Sequence, residues 1–418
     1  MEFDNLQEIL FTIRKNKLRT FLTAFGVFWG ILILILLLGA GKGLENGITQ
    51  GFGSDDRSSM WISAGRTAIP YQGTPNGRQI NFTEDDLTAL REQFGEVQYV
   101  SAENRAGIRW RRTINVTYKN KSGAFGVFGV ADDYFSIKRF LEYRAGRTLN
   151  VLDTADTRKV ALIGSAVRDR LFGENVDPTG EQITFHGIVL QVVGVFYDSG
   201  RQGRMSERIY IPLTTFQKTF GSANKVGTLA LTPKSSTDSY TLEENLKTFL
   251  RQRHGVAPTD ERAISIYNTA RQLESTTKTF AAITMFVWFV GLGTLAAGIV
   301  GISNIMIITV KDRTREIGVR KALGATPLSI VTMILSESVL VTATAGYCGL
   351  VLGVAILEGV SLVVKNAGGS LGFFGAPDIE LSTAIQAVIV LIVAGALAGL
   401  APALRAAKIL PIEAMREE

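Results

Sequence analysis

Four stretches of this chain are too long and too apolar to end inside an ordinary water-soluble core, and their spacing dictates the rest of the fold. Residues 21–38, FLTAFGVFWGILILILLL, carry no charge and reach the length a helix needs to cross a bilayer. Three further runs follow near 280–309, 330–364 and 384–401, and the first two of these exceed the minimum, so their ends project or tilt. The first run is long for a signal-peptide core and follows a patterned segment. That favours an uncleaved anchor over a cleaved leader ending at Gly39-Ala40-Gly41.

The basic residues orient these runs. Arg14, Lys15, Lys17 and Arg19 precede the first, and Arg405 and Lys408 follow the fourth. Between the second and third lies VKDRTREIGVRKALGA, residues 310–325, with five Lys or Arg. Short basic loops stay cytoplasmic, and all three clusters fall on one side if all four runs span. Both termini are then cytoplasmic and residues 42–279 lie outside. The net charge of +6 thus reflects topology. Nucleic acid is not expected as a partner, because no zinc-ligand spacing or RNA-binding aromatic signature occurs.

The expected division is an amphipathic helix at 1–20, spans at 21–41, 280–309, 329–364 and 384–401, and an external domain at 42–279. The loop 310–328 and the tail 402–418 are cytoplasmic, and 365–383 is an external loop. Phe3, Leu6, Ile9, Leu10, Ile13 and Lys17 recur at helical spacing. They fit a helix lying on the cytoplasmic leaflet in contact with membrane lipid, or one packed under the bundle.

Within the external domain, a strand near 58–62, a helix over 83–94 and a strand near 98–102 form one βαβ-like half. Asn81 or Thr83 can cap that helix, with Glu84 or Asp86 closing a box. A second half follows at 226–231, 238–253 and 263–267. The two halves make one split α+β unit, about 55–106 and 224–268, around a β-rich insertion at about 107–223. In the insertion, 107–118 and 124–130 can pair across Asn120–Gly123, and 182–185 and 189–195 across His186-Gly187. Helical character from 271 runs without a breaker into the second span. Residues 44–50 can extend the first span likewise, although Gly43 and Gly47 weaken the helix.

Catalytic chemistry is not evident. Gly39-Ala40-Gly41-Lys42 lacks the glycine and the Ser or Thr of a phosphate loop and follows a span instead of a strand. No nucleophile elbow, zinc-binding helix or kinase set occurs, and Asp85-Asp86 and Asp132-Asp133 read as caps. His186 and His254 stand apart from ligand partners, as loop or surface residues, so no metal site is expected. The single cysteine, Cys348, lies within a span.

Small residues recur at every fourth position in the spans: Gly26 and Gly30; Gly293, Ala297 and Gly301; Ala345, Gly349 and Gly353; Gly395 and Gly399. Such spacing lets backbones approach where lipid supplies no hydrophobic drive. It fits a tight bundle or a dimer seam, with Gly293, Ala297, Gly301, Gly349 and Gly353 as the packing set. Polar content is slight, which argues against a solute path through the bundle. Glu337 is the acidic residue well inside a span, either a functional group or a partner for a nearby cation.

The loop 311–323 reads as one short rigid helix. Glu316 and Arg320 stand in the favourable i,i+4 orientation, Gly324 suits the C′ position and Pro327 stops continuation. Ile317, Val319 and Leu323 are available for contact. The segment RTREIGVRKALGA, 313–325, resembles the signature loop of the MacB and FtsX family of ABC transporter permeases. LRTFLTAFGVFWG at 18–30 is similar to that family's first span. GVADDYF at 129–135, AGRTL at 145–149, VALIGSAVRDRLFG at 160–173 and IYIPLTTFQKTFG at 209–221 resemble the periplasmic domain of MacB-type members. APALRAAKILPIEAMREE at 401–418 resembles the family's ending.

The resemblance implies a polytopic α-helical membrane protein of the bacterial inner membrane. Four transmembrane helices carry a large α+β periplasmic domain between the first and second spans. It further implies a non-catalytic permease subunit that dimerises, as homodimer or heterodimer, and docks a separate ABC ATPase. Thr314, Glu316, Ile317, Gly318, Arg320 and Leu323 would form the coupling surface. MacB itself carries its ATPase on the same chain, whereas this sequence has no Walker motif. ATP and Mg are therefore expected on the partner and no cofactor on this chain. The implied role is mechanotransmission, driving periplasmic movement for efflux or envelope maintenance, with a periplasmic adaptor and outer-membrane channel as further partners. Alternatives are an FtsX-like regulator of cell-wall hydrolases, a lipoprotein-releasing permease, and a membrane-anchored sensor.

Overall fold

The computed structural model describes residues 17–50, 56–106, 113–138, 141–198, 205–367, 370–371, 374–378 and 381–410. Most of the amphipathic helix expected at 1–20, and the final tail from 411, lie outside the described residues. The chain divides into two compact units, Met1–Gly47 with Lys278–Glu418, and Ile48–Thr277.

In chain order the described elements begin with helix α1 (Lys17–Gln50), strands β1 (Met60–Ala64) and β2 (Phe82–Thr83), helix α2 (Glu84–Gln93) and strand β3 (Val97–Arg105). The insertion follows with β4 (Ile114–Tyr118), β5 (Lys121–Val130), α3 (Tyr134–Ile137), β6 (Glu142–Gly146), α4 (Val151–Ala155), β7 (Val160–Gly164) and α5 (Ser165–Leu171). It closes with β8 (Gln182–Phe185), β9 (Ile188–Tyr197), β10 (Arg208–Pro212) and α6 (Leu213–Phe220). The second half supplies β11 (Lys225–Val226), β12 (Thr228–Pro233), α7 (Ser239–Arg253) and β13 (Ile264–Asn268). The remainder is α8 (Thr269–Asp312), α9 (Thr314–Ala322), α10 (Pro327–Asn366), the hairpin β14 (Ser370–Leu371) and β15 (Phe374–Gly375), and α11 (Leu381–Ala407).

Among the described residues four helices, α1, α8, α10 and α11, are long and apolar enough to cross a membrane. Each runs beyond the stretch its hydropathy marks. The glycines that weaken 44–50 as a helix are its contact points instead. A Cβ on Gly39 would lie 2.3 Å from Leu357, one on Gly43 2.5 Å from the Phe374 ring, and one on Gly375 2.7 Å from the Gly47 nitrogen. Packing gained by close approach outweighs the propensity of about 1 kcal/mol lost per glycine. α8 starts at Thr269, so its 44 residues extend over roughly 66 Å at the helical rise. α10 opens with Thr326 as N-cap, its hydroxyl accepting from the Ser329 amide at 3.3 Å, and Pro327 in the first turn. The unit's apolar core joins all four helices through Val27, Ile31, Leu295, Ile334 and Leu391.

In the other unit the two βαβ halves interleave. β1 pairs antiparallel with both β12 and β13, and β12 pairs antiparallel with β3. Sheet order is therefore β3-β12-β1-β13, a split βαβ arrangement with α2 and α7 covering it. Met60, Ile62, Leu90, Leu229 and Leu246 form its core. Thr83 caps α2 with Asp86 closing the box, the Thr83 amide donating to the carboxylate at 2.9 Å.

The insertion has its own core around Val116, Phe125, Ile163 and Ile183. β4 and β5 turn at Lys119-Asn120, because Tyr118 pairs with Lys121 and Lys119 takes the left-handed conformation at φ 48°. This corrects the turn expected at 120–123. Gly123 lies within the strand, where a Cβ would meet the Phe125 ring at 2.5 Å. Residues 107–112 of the expected first strand lie outside the described residues. The second hairpin turns at His186 and Gly187, with φ of 47° and 74°. Within AGRTL, Arg147 grips the buried Asp153 through both carboxylate oxygens at 2.6 and 2.9 Å, and Asp153 boxes Asn150 at the start of α4. A third core, around Phe128, Tyr134, Phe196 and Tyr210, joins insertion and split unit. There Tyr134 donates to Glu103, and Arg208 lies over the Phe128 ring at 4.5 Å.

Candidate functional site

The charged loop is built as a break and a restart. α8 continues into it as far as Asp312, Arg313 leaves helical geometry, and α9 begins at Thr314. One continuous helix over 311–323 is thereby corrected to the end of a span plus a separate short helix. Thr314 folds its hydroxyl back onto the carbonyls of Val310 at 3.2 Å and Lys311 at 2.8 Å. Gly324, at φ 99°, ends the turn that leads into α10.

The six residues expected to form one surface separate into two faces. Ile317 is 2% exposed and packs into the membrane unit's core, and Gly318 is buried beside it. Glu316 and Leu323 face outward, Leu323 at 84% exposure. Arg320 is half-buried and pairs with Glu316 at 2.9 Å. Arg315 and Val319 share the outward face; the i, i+4 spacing of Arg315, Val319 and Leu323 was the sequence signal for it. Open clefts of about 590 and 530 Å³ flank Arg320, one bordered by Leu323, Ser329 and Met333, the other by Asp312, Arg315 and Val319. An exposed leucine beside a fixed ion pair and two clefts is suited to gripping another protein.

Glu337 is 6% exposed on α10 and accepts from Arg313 at 3.3 Å. The small-residue set also divides. A Cβ on Gly349 would lie 2.5 Å from the Phe28 carbonyl oxygen and one on Gly353 2.9 Å from Ile35. Among the described residues, a Cβ on Gly293 or Gly301 would meet nothing within 4 Å, and Ala297 is exposed between them. The first two pack within the chain, and the other three leave an open stripe on α8.

His254 is not the isolated surface residue its sequence context suggests. It ends α7 with Nε2 3.1 Å from Asp86, which Arg253 also contacts at 2.6 Å. Burial acts to raise the Asp86 pKa, but bonds from His254, the Thr83 amide and Arg253 prevail and bring it down to about 2. A carboxylate depressed in the folded state stabilises above its unfolded pKa and loses that contribution as pH falls through the folded one. Thermal melts of the whole chain and of Asp86→Asn should therefore differ by about 2 kcal/mol at pH 7. The difference should vanish between pH 4 and pH 2; a gap independent of pH would refute this role. Among the described residues no cluster of His, Cys, Asp and Glu could hold a metal ion.

Fold and loop define a class of protein: a polytopic membrane protein whose first two membrane helices bracket a large α/β domain and whose second and third bracket a charged helix. The family model of the MacB-like periplasmic core domain matches residues 20–249, and that of the FtsX-like permease C-terminal region matches 288–411. The macrolide export ATP-binding/permease protein MacB of Bdellovibrio bacteriovorus is 28% identical over 418 residues, covering 99% of this chain and 62% of that protein. The pyoverdine export ATP-binding/permease protein PvdT of Pseudomonas syringae is 26% identical over 409 residues, covering 96% and 58%. The crystal structure of the periplasmic region of MacB from Actinobacillus actinomycetemcomitans aligns at 19% identity with a TM-score of 0.43, over 54% of this chain and 94% of that one. The chain belongs to the MacB-like, FtsX-type family of ABC transporter permeases. It spans 58–62% of the length of these two curated relatives.

Proposed function

We propose that the chain receives movement from a separate ATP-binding subunit at α9 and delivers it to the α/β domain, which lies outside the cytoplasmic membrane. The observation that carries this reading is the outward face of α9, where Leu323 and Val319 are exposed beside the Glu316–Arg320 pair in a member of this family. The positions of the basic clusters support a cytoplasmic loop and cytoplasmic termini. ATP and Mg bind the partner, and this chain performs no catalysis of its own. The open stripe of Gly293, Ala297 and Gly301 supports pairing with a second permease copy. Two relatives are named for export of macrolide and of pyoverdine, which supports outward movement of a small molecule; a periplasmic adaptor and an outer-membrane channel are further partners we propose for that route.

Affinity purification of the tagged chain from native membranes tests the reading. A stoichiometric ABC ATPase is expected. Glu316→Arg puts a third cation beside Arg313 and Arg320, and should weaken that association at least about tenfold while the protein stays folded in membranes. Undiminished association of the variant would remove α9 as the docking surface. Recovery without any ATPase, under conditions that preserve ABC complexes, would favour the sensor.

A further inference from the structure

The loop helix is held at both ends by polar contacts that its outward face does not use. Arg313 has φ −102° and ψ 13°, between two helices, and its guanidinium reaches Glu337 of α10 at 3.3 Å. It also lies 3.5 Å from Glu316. At the far end Lys321 donates to the carbonyl oxygens of Ala407 at 2.5 Å and Ile409 at 2.9 Å, where α11 ends. The last carbonyls of a helix lack intrahelical donors and carry the negative end of its dipole, so an ammonium there is favourable.

The two helices so engaged are themselves locked together. Ser338 donates to the Gly395 carbonyl at 2.9 Å, and a Cβ on Gly346 or Gly399 would lie 2.1 Å from Leu391 or 2.7 Å from Ser338. Ile317 inserts between these anchors into the same core.

We infer that Arg313, Lys321 and Glu337 are positioning residues that pin α9 to α10 and α11, so that loop helix and third and fourth spans move as one body. The non-helical residue Arg313 is the joint between that body and α8. Glu337, a carboxylate inside an apolar span, is thereby explained as the fixed end of the clamp. Removing either member takes a charge-assisted contact away from a carboxylate only 6% exposed, so the pin weakens. The consequence for transport rests on the docking reading above, but the clamp itself does not.

The test uses the full chain in lipid nanodiscs, with Cys348→Ala and a nitroxide on Ala322→Cys, an exposed site on α9. Without any ATPase, Glu337→Gln, Arg313→Gln and Lys321→Met should each raise label mobility. The Arg313→Gln/Glu337→Gln double variant should be no more mobile than Arg313→Gln alone, because that single change already breaks the contact to Glu337. With the ATP-binding subunit recovered from native membranes, Glu337→Gln and Lys321→Met should bind it with unchanged affinity. Their turnover of ATP should fall about tenfold, and Glu337→Asp should restore part of it. Unchanged mobility, additive effects in the double variant, or weakened binding with turnover intact would each overturn the clamp. If Glu337→Gln does not fold, Lys321→Met, on α9 itself, carries the same comparison. A wild-type chain that binds no ABC ATPase would sink the docking reading, while the mobility series still decides the clamp.

Discussion

Exchange of Gly349 for leucine is expected to prevent the membrane unit from assembling. A Cβ at that position falls 2.5 Å from the Phe28 carbonyl oxygen and 3.4 Å from the Leu32 nitrogen, both backbone atoms of α1. No rotamer relieves a clash with backbone, so α1 and α10 must separate along their shared seam. Overpacking costs typically 1–3 kcal/mol where neighbours can shift; here the cost should exceed about 3 kcal/mol because they cannot. Size-exclusion profiles of the solubilised variant should lose their monodisperse peak. Gly293→Leu and Gly301→Leu supply the contrast, since none of the described residues lies within 4 Å of either Cβ. Both should leave the protomer folded and weaken its self-association. A monodisperse, protease-resistant Gly349→Leu protein would contradict the seam.

Glu243→Ala should have the next largest effect. Glu243 is 2% exposed and binds Lys247 at 2.8 Å, Arg271 at 2.9 Å and Asn268 at 3.1 Å. Arg271 also lies over the Tyr240 ring at 5.0 Å, and Tyr240 donates to Glu274. These contacts rivet α7 to the first turns of α8. Without the carboxylate, two cations and an amide face an empty site. Arg271 is half-exposed, so water takes up part of the loss, and about 2–3 kcal/mol remains. In a domain of this size that corresponds to a fall in Tm of roughly 5–10 °C. Near-ultraviolet circular dichroism of the whole chain would follow it, and Glu243→Gln, which keeps an acceptor, should recover part. A Tm within about 1 °C of wild type would show that the cluster is ornamental.

The elements of this fold were legible wherever local chemistry decided them. Apolar length marked the four helices long enough to cross a membrane, and Thr83 with Asp86 marked the start of α2. The left-handed turn residues His186 and Gly187 marked one hairpin. Gly43, Gly47 and Gly123 misled because glycine has two uses, conformational freedom and close approach, and only the tertiary neighbour tells which applies. The interleaving of β1 between β12 and β13 was not legible either, since two local βαβ patterns are compatible with separate sheets.

The loop followed the same rule. Its helical character and the Glu316–Arg320 pair could be read from spacing within one turn. That Ile317 and Gly318 face inward depends on a core made by other helices. Lys321 could not be matched to its acceptors, because they are main-chain carbonyls, which any residue carries. His254 and Asp86 meet across a distant part of the chain, where spacing rules have no purchase.

The interleaved sheet also determines how such a protein can diversify. The chain leaves the split unit after β3 and returns at β11 and β12, where Glu103 stands opposite Thr228 in a paired register. Departure and return are therefore next-door neighbours. An excursion closed at its base can lengthen, shorten or be exchanged without shifting the register of β1 and β13, and β13 leads directly into α8. Selection can thus remodel the insertion while the strand that feeds α8 stays the same.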